Sequence, residues 1–173
     1  TIGFGVSGAL TSTVTLVPKL PYDPLKDVEL VSVVVLNPIV LAVPASSNIQ
    51  NLKDFVAAAK AAPKPFSYGT AGPGTAMHLA GELLKQMAGF DMSHVPYKGS
   101  NPAAMDLLAG HIQAGIIDYT TAKPHVQSGK LRALGQTGAT RSTVAPDLPT
   151  IAEGGIAGYE FNSWFGLVMP AGT

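Results

Sequence analysis

Long hydrophobic stretches alternate with amphipathic ones along most of this chain. The first stretch, residues 30–44, is rich in valine and leucine and almost continuously apolar, which is typical of strands buried on both faces of a sheet. Asn37-Pro38 interrupts it and predicts two strands instead of one. Asn51 then opens an amphipathic pattern that predicts a capped helix over residues 51–62.

The same alternation continues to residue 137. Short apolar segments predict further strands at residues 66–69, 93–96, 112–118 and 131–137. The patterns between them predict helices at residues 75–88, 102–109 and 121–128, the second capped by Asn101, with Gly89, Gly110 and Gly129 past their ends. Helices of this length between short strands indicate βαβ units. The expected fold class is therefore α/β, with a mostly parallel sheet and helices on both faces.

The two ends of the chain do not follow this alternation. Residues 1–27 are expected to be irregular, because Pro18, Pro21 and Pro24 each remove a backbone hydrogen-bond donor. At the other end, we expect a short helix near residues 150–153, then a strand-like segment over residues 161–170 and no closing element. Both ends are typical of a piece of a larger protein.

Composition narrows the classes of function. The 173 residues are 46% hydrophobic and only 13% charged, which argues against disorder. Lys plus Arg and Asp plus Glu both number 11, so the net charge is zero and no nucleic-acid partner is expected. No apolar run reaches the roughly 20 residues of a membrane-spanning helix. The absence of cysteine excludes disulfides and thiolate metal sites.

A glycine-rich turn, GTAGPGT at residues 69–75, separates one predicted strand from the next predicted helix. A dinucleotide-binding fingerprint fails here because its third glycine position holds Met77. A P-loop fails because Gly74 is followed by Thr-Ala and not by lysine. The nearest approach to a nucleophile elbow lies elsewhere, at GVSGA, where Ala9 replaces the last glycine.

Two interpretations of the turn remain open. In the first, Thr75 caps the helix and the first helical amides stay unpaired, so the positive end of the helix dipole offers a seat for a carboxylate or another anion. Gly72 and Gly74 would let the backbone approach such a ligand closely. In the second, the segment is an ordinary strand-to-helix turn with a threonine cap.

Two other loops are expected at the same edge of the sheet. The segments YKGSN, residues 97–101, and YTT, residues 119–121, each follow a predicted strand and precede a helix. Ligands of open α/β folds bind at the edge where the strands have their carboxyl ends. Asp118 ends one of these strands and is expected to hydrogen-bond to neighbouring amides or to a ligand, because an unpaired buried charge is costly. This convergence favours a binding site.

The remaining candidates do not form a catalytic or metal-binding set. His78 is a candidate for positioning a ligand, with a solvent-facing or capping role as the alternative. His94, His111 and His125 lack the spacing of metal ligands and are expected at the surface. No Ser/His/Asp set or carboxylate pair can be assembled, so the sequence favours binding without chemistry, metal or cofactor. Three aromatic residues near the end are expected to pack in the core: Phe161, Trp164 and Phe165.

Six blocks of the sequence are characteristic. They are KLPYDPLKD (19–27), FSYGTAGPGTAMHLAGELLK (66–85), HVPYKGSNPAAMDLLAG (94–110), SGKLRALGQTGATRS (128–142), DLPTIAEGGIAGYE (147–160) and SWFGLVMPAGT (163–173). In this order and over the whole length, they resemble the substrate-binding proteins of tripartite tricarboxylate transporters, also called the Bug family of periplasmic solute receptors.

The resemblance implies a periplasmic-binding-protein-like fold, in which two α/β lobes close on a small carboxylate solute and pass it to the permease subunits of the transporter without catalysis. The implied partners are that solute and the membrane permease. The implied location is periplasmic, with the signal peptide outside these 173 residues. The alternative is an enzyme or a ligand sensor that uses the same cleft.

The resemblance also implies a set of ligand-binding positions. The glycine turn supplies most of them, with a histidine behind it, a neighbouring wall from the next loop, an acidic residue facing the cleft and a serine from the loop before the first crossover. These residues are Thr70, Ala71, Gly72, Gly74, Thr75, His78, Tyr97, Lys98, Gly99, Ser100, Asp118 and Ser7.

The chain departs from the family pattern at its ends. The first-lobe glycine-rich loop and the C-terminal helix of the family have no counterpart in these residues. Residues 1–27 are therefore expected to be a remnant of the first lobe and crossover, residues 28–162 the second lobe, and residues 163–173 a truncated return strand. An exposed apolar hinge surface is expected to let the isolated lobe form a homodimer.

Overall fold

The computed structural model of the chain describes residues 1–16 and 19–173. Its strands are β1 (Gly3–Val6), β2 (Val28–Asn37), β3 (Ile39–Pro44), β4 (Phe66–Thr70), β5 (Met92–Pro96), β6 (Ala114–Asp118), β7 (Leu131–Gln136) and β8 (Ser163–Pro170). Its helices are α1 (Thr13–Leu16), which follows a π-helical segment at Gly8–Ser12, α2 (Leu52–Ala61), α3 (Ala76–Ala88), α4 (Ser100–Ala109) and α5 (Tyr119–Gln127). No helix within these residues is long and apolar enough to cross a bilayer.

The larger sheet has five strands in the order β5-β4-β6-β3-β7. Strand β4 pairs in parallel with β5 and β6, whereas β3 pairs antiparallel with both β6 and β7. The α/β class predicted from the sequence is confirmed, and the sheet is mixed because β3 runs against its neighbours. Consequently the start of β3 lies at the same edge as the carboxyl ends of the other four strands.

Strand β3 forms the centre of the protein core. Ile39, Leu41 and Val43 point into a cluster on one face of the sheet, together with side chains from α2 and α3. Val40 and Ala42 point to the other face, where residues of α4 and α5 pack. All five side chains are fully buried, which explains the near-continuous hydrophobic run. The predicted break at Asn37-Pro38 is confirmed, since β2 and β3 belong to different sheets.

The smaller sheet has three antiparallel strands in the order β1-β8-β2. Strand β2 is apolar but exposed along most of its length, with Leu36 at 70% and Val34 at 53% exposure. Phe4 of β1 stacks on Phe165 of β8, with ring centroids 5.7 Å apart. Trp164 and Phe165 are therefore partly buried in this sheet, not in the main core.

The expectation that residues 1–27 are irregular is wrong for their first part, because β1, the π-helical segment and α1 all lie there. Strand β1 forms by pairing with β8, more than 150 residues away in the sequence, and local patterns carry no information about such a partner. Residues 19–27, which include Pro21 and Pro24, contain turns without helix or strand. Pro18 lies outside the described residues.

Helix ends follow the capping signals in the sequence with one exception. Asn51 caps α2 and accepts from the Asp54 amide at 2.9 Å. Gly89 ends α3 in the left-handed conformation, φ 67°. Helix α4 begins at Ser100 and its cap is Gly99, not Asn101. Gly99 has a φ of 111°, a backbone conformation that suits glycine and that residues with a side chain rarely adopt.

The expectation of a short helix near residues 150–153 is also wrong. The segment forms hydrogen-bonded turns instead. Thr150 and Glu153 bond to each other's amides at 3.1 and 2.7 Å, as in a capping box, although no α-helix follows.

Truncating Leu84, on the buried face of α3, tests this packing. Leu84 is fully buried, so Leu84→Ala leaves a cavity and should lower the free energy of unfolding by about 3 kcal/mol. The matched control is Leu83→Ala, at the next and only partly buried position, with an expected loss of about 1 kcal/mol. Chemical denaturation measures both, and equal losses would contradict the assigned face of α3.

Candidate functional site

Two loops and a strand-to-helix junction lie side by side at the carboxyl edge of the larger sheet, and hydrogen bonds join each to the next. The amides of Tyr97 and Gly99 donate to the carbonyl oxygens of Thr70 and Ala71, at 3.1 and 3.2 Å. The Ser100 hydroxyl donates to the Asp118 carboxylate at 2.6 Å. The expected loop at residues 119–121 is wrong, because α5 begins at Tyr119 directly after β6. The loops after β4 and β5 and the end of β6 still share one edge, as the strand pattern indicates.

The glycine turn after β4 has a defined internal structure. Gly72 and Gly74 have φ values of 131° and 73°, which only glycine adopts readily. The Gly72 amide donates to Thr70 Oγ1 at 3.2 Å. The Gly74 amide donates to His78 Nδ1 at 3.2 Å, and the Thr75 amide to the Gly72 carbonyl at 3.4 Å. These three amides, which precede the helix, are therefore already paired within the protein.

The first turn of α3 contains two amides without an acceptor. Thr75 is the cap, as predicted, and its hydroxyl accepts from the His78 amide at 3.4 Å while donating to the Gly72 carbonyl at 2.7 Å. The amides of Ala76 and Met77 precede any carbonyl that the helix itself could offer. They have no acceptor among the described residues. An anion that bound at this helix terminus would therefore meet these two groups first.

A fourth segment, from the N-terminal region, meets this helix terminus. A Cβ on Gly8 would lie 3.4 Å from the Gly74 carbonyl oxygen and 3.9 Å from the Ala76 amide nitrogen. Ser7 is only 7% exposed, and its carbonyl accepts from Thr11 Oγ1 at 2.6 Å. Its own hydroxyl has no hydrogen-bond partner within the described part of the chain. Gly8 therefore packs against the start of α3.

The histidine behind the turn has a partner that the sequence did not reveal. The rings of His78 and His94 stack with their centroids 4.1 Å apart at 18°. His94 Nε2 lies 2.7 Å from Thr70 Oγ1. The expectation that His94 is a surface residue is wrong, because β5 places it against β4 and α3. Burial, together with the nearby His78, lowers the pKa of His94.

A charged network continues from the histidines along α3. Tyr68 donates to Glu82 at 2.6 Å, and Lys85 contacts both oxygens of Glu82, at 2.9 and 3.1 Å. Burial and the Glu82 carboxylate raise the pKa of Tyr68. Burial opposes ionisation of Glu82, but the hydrogen bonds from Tyr68 and Lys85 outweigh it and lower the pKa of Glu82. The network is therefore ionised at Glu82 and neutral at Tyr68.

Asp118 is held by two side chains, one of which is an amide, and not by backbone amides of the described residues. Ser100 donates to one carboxylate oxygen, and the Asn37 side-chain amide donates to the other. Asn37 lies at the junction of β2 and β3. The carboxylate therefore joins the crossover to the start of α4, and only its remaining lone pairs can face a ligand.

Two residues of the predicted binding wall differ in their surroundings. The Tyr97 hydroxyl donates to Asp106 Oδ2 at 2.7 Å, and burial with this bond raises the Tyr97 pKa to about 12. A Cβ on Gly69 would lie 3.0 Å from the Tyr97 ring, so that ring covers β4 and only the Tyr97 backbone borders the turn. Lys98 is exposed and has no recorded partner in the described chain.

No catalytic set is formed at this edge by the described residues. Nor do three or more His, Asp or Glu side chains there group into a metal site. A cavity of about 770 Å³ opens at the other end of the edge, beside β7, and is lined by residues such as Asn37, Thr137 and Ser163. It contains none of the glycine turn, so the residues predicted for binding lie in the shallower surface beside α3.

Known structures share this architecture. R. palustris Rpa4515 with adipate is 35% identical, with a TM-score of 0.92 over 100% of this chain and 58% of its own. MatC from Rhodopseudomonas palustris with bound malate is 29% identical, with a TM-score of 0.87 over 100% of this chain and 59% of its own. The periplasmic binding protein BugD is 30% identical, with a TM-score of 0.88 over 99% of this chain and 57% of its own.

Together, the fold and these neighbours place the chain in the periplasmic-binding-protein fold class. Residues 1–173 match the family described as the tripartite tricarboxylate transporter family receptor, and the chain belongs to this family. Its relatives are receptors and not enzymes, and those named for a location are periplasmic. The chain spans about half the length of the first curated relatives it matches, at 47%, 47% and 51%.

Removing the charge of Asp118 should weaken the fold. In Asp118→Asn one oxygen becomes an amide donor that faces the donors Asn37 or Ser100, so we expect a loss of about 2 kcal/mol in the free energy of unfolding. Asp147→Asn is the control, since Asp147 is exposed, and should stay within about 0.5 kcal/mol. Urea denaturation compares them, and equal stabilities would show that the Asn37–Asp118–Ser100 contacts are not formed.

Acidification should destabilise the protein through His94. Its folded-state pKa lies below the ordinary value of 6.5, so the unfolded chain binds the proton first and the free energy of unfolding falls as the pH drops through this value. In His94→Gln the loss of stability between pH 8 and 5.5 should be smaller than in the wild type. Thermal unfolding across this range measures the slope, and an identical slope in both proteins would refute a partly buried, neutral His94.

Proposed function

We propose that this chain carries the ligand-binding lobe of a periplasmic receptor that captures small carboxylates for a tripartite transporter, without catalysis. The ligand carboxylate would sit at the N-terminus of α3, between the glycine turn and the segment around Ser7 and Gly8. The permease subunits of the transporter would receive the solute when the receptor opens.

One observation carries this proposal: the Ala76 and Met77 amides, at the positive end of α3, have no acceptor among the described residues, and the segment at Gly8 packs against this helix terminus. Two amide donors match the two oxygens of a carboxylate. The surroundings also suit an anion, because Lys98 is the exposed charge in the adjoining loop. Adipate and malate, the ligands named for two solved relatives, are both small carboxylates.

We further propose a division of the chain into lobes. Residues 28–162 would form most of the second lobe, and residues 1–27 and 163–173 would belong to the first lobe and the crossovers. The three-stranded sheet supports this division, since its strand β2 exposes apolar side chains such as Leu36 and Val34. We also propose that the isolated chain dimerises through this exposed sheet, and light scattering would detect such a dimer.

Thr75 and Lys98 test the site together. In the natural polypeptide that carries these residues, Thr75→Ala with Lys98→Gln removes the helix cap and the nearby positive charge. Affinity for adipate or malate should fall at least about tenfold, because each change removes support worth about 1 kcal/mol. Titration calorimetry measures the affinity.

The control is Lys64→Gln, an exposed lysine before the opposite end of β4, which should keep wild-type affinity. Unchanged binding in the double variant would contradict this site, and turnover of the added acid would contradict the receptor function.

A further inference from the structure

The glycine turn rests on a pair of stacked imidazoles. His78 comes from the first turn of α3 and His94 from β5, and their ring planes are nearly parallel, at 18° and 4.1 Å between centroids. Neither ring is fully buried. The pair lies between the turn and the Tyr68–Glu82–Lys85 network, so it separates the turn from the partly exposed charges of Glu82 and Lys85.

Each ring holds one half of the turn. His78 Nδ1 accepts directly from the Gly74 amide at 3.2 Å. His94 Nε2 bonds to Thr70 Oγ1 at 2.7 Å, and that same hydroxyl oxygen accepts from the Gly72 amide at 3.2 Å. Glycine has access to far more backbone conformations than other residues. Two glycines at positive φ would therefore leave the turn loose unless side chains fixed it.

We propose that His78 and His94 are positioning residues of the anion seat: together they fix the backbone of Gly72 and Gly74, and so set the direction of the Ala76 and Met77 amides. The inference rests on the proposed function of the turn, and it adds a role that requires His78 to be unprotonated at Nδ1. His94 acts through Thr70 and does not touch the ligand.

The protonation state of His78 follows from the groups around it. Because the Gly74 amide donates to Nδ1, the neutral ring carries its proton on Nε2. On α3, Glu82 Oε1 lies 3.9 Å from this Nε2 and Lys85 is bonded to the same carboxylate. On β5 and β4, the pair meets His94 itself, Thr70 and Tyr68. A second proton, on Nδ1, would face the Gly74 N–H and break the bond that holds the turn.

Isosteric amides separate this role from simple packing. Asparagine at 78 places an oxygen near Nδ1 and can still accept from Gly74, whereas glutamine at 78 reaches the Nε2 position and loses that acceptor. At 94 the preference is reversed, since glutamine reaches Thr70 and asparagine falls short. All four variants lose the ring stack. The asparagine and glutamine variants at each position are therefore compared by the hydrogen bond that each can make.

The variants are compared in the natural polypeptide with malate and adipate as probes. We expect His78→Gln and His94→Asn to lose affinity by about tenfold, and His78→Asn and His94→Gln to keep it within about threefold of wild type. His125→Gln, on α5 and remote from the turn, should match the wild type. If all four variants at positions 78 and 94 lose affinity equally, or none does, the positioning role is refuted.

A final measurement is independent of binding. Nitrogen NMR of the 173-residue chain should show His78 protonated at Nε2 at pH 8, with its Nδ1 coupled to the Gly74 amide. A proton on Nδ1 would refute this inference even where malate binds. Conversely, the expected tautomer in a protein that binds neither probe would leave the histidine pair intact and refute the proposed function instead.

Discussion

Hydrogen-bond satisfaction of the turn after β4 is the constraint on which this site depends. A strand that ends at a sheet edge and turns into a helix presents a run of backbone amides, and each needs an acceptor when it is shielded from water. Thr70, Gly72 and His78 provide acceptors for three of them. The amides of Ala76 and Met77 have no such acceptor among the described residues. The proposed ligand contact therefore depends on which donors of the turn the protein has already used.

Local signals predicted much of the fold. The break at Asn37-Pro38, the caps at Asn51 and Thr75 and the end of α3 at Gly89 all depend on residues a few positions apart, which a sequence displays directly. The direction of β3 and the existence of β1 depend on pairing between distant segments. No local pattern encodes these, so the mixed sheet and the ordered N-terminal segment were missed.

The site shows the same division between local and distant information. The loops after β4, β5 and β6 were assigned to one edge because strand polarity alone determines it. The role of His94 was not visible, since its spacing from His78 matches no motif and the two meet only when β5 packs against α3. The pairing of turn amides with His78 and Thr70 required coordinates, because sequence does not show which rotamer a side chain adopts.

The reversed direction of β3 has a mechanical consequence. The chain enters the five-stranded sheet from Asn37 and leaves it towards Ser163, and these two residues are register partners in β2 and β8. Both covalent connections to the smaller sheet therefore run next to each other at a single rim. A rigid rotation of one sheet relative to the other would change torsion angles in only these two neighbouring peptide segments, and the ladder of the larger sheet would stay intact.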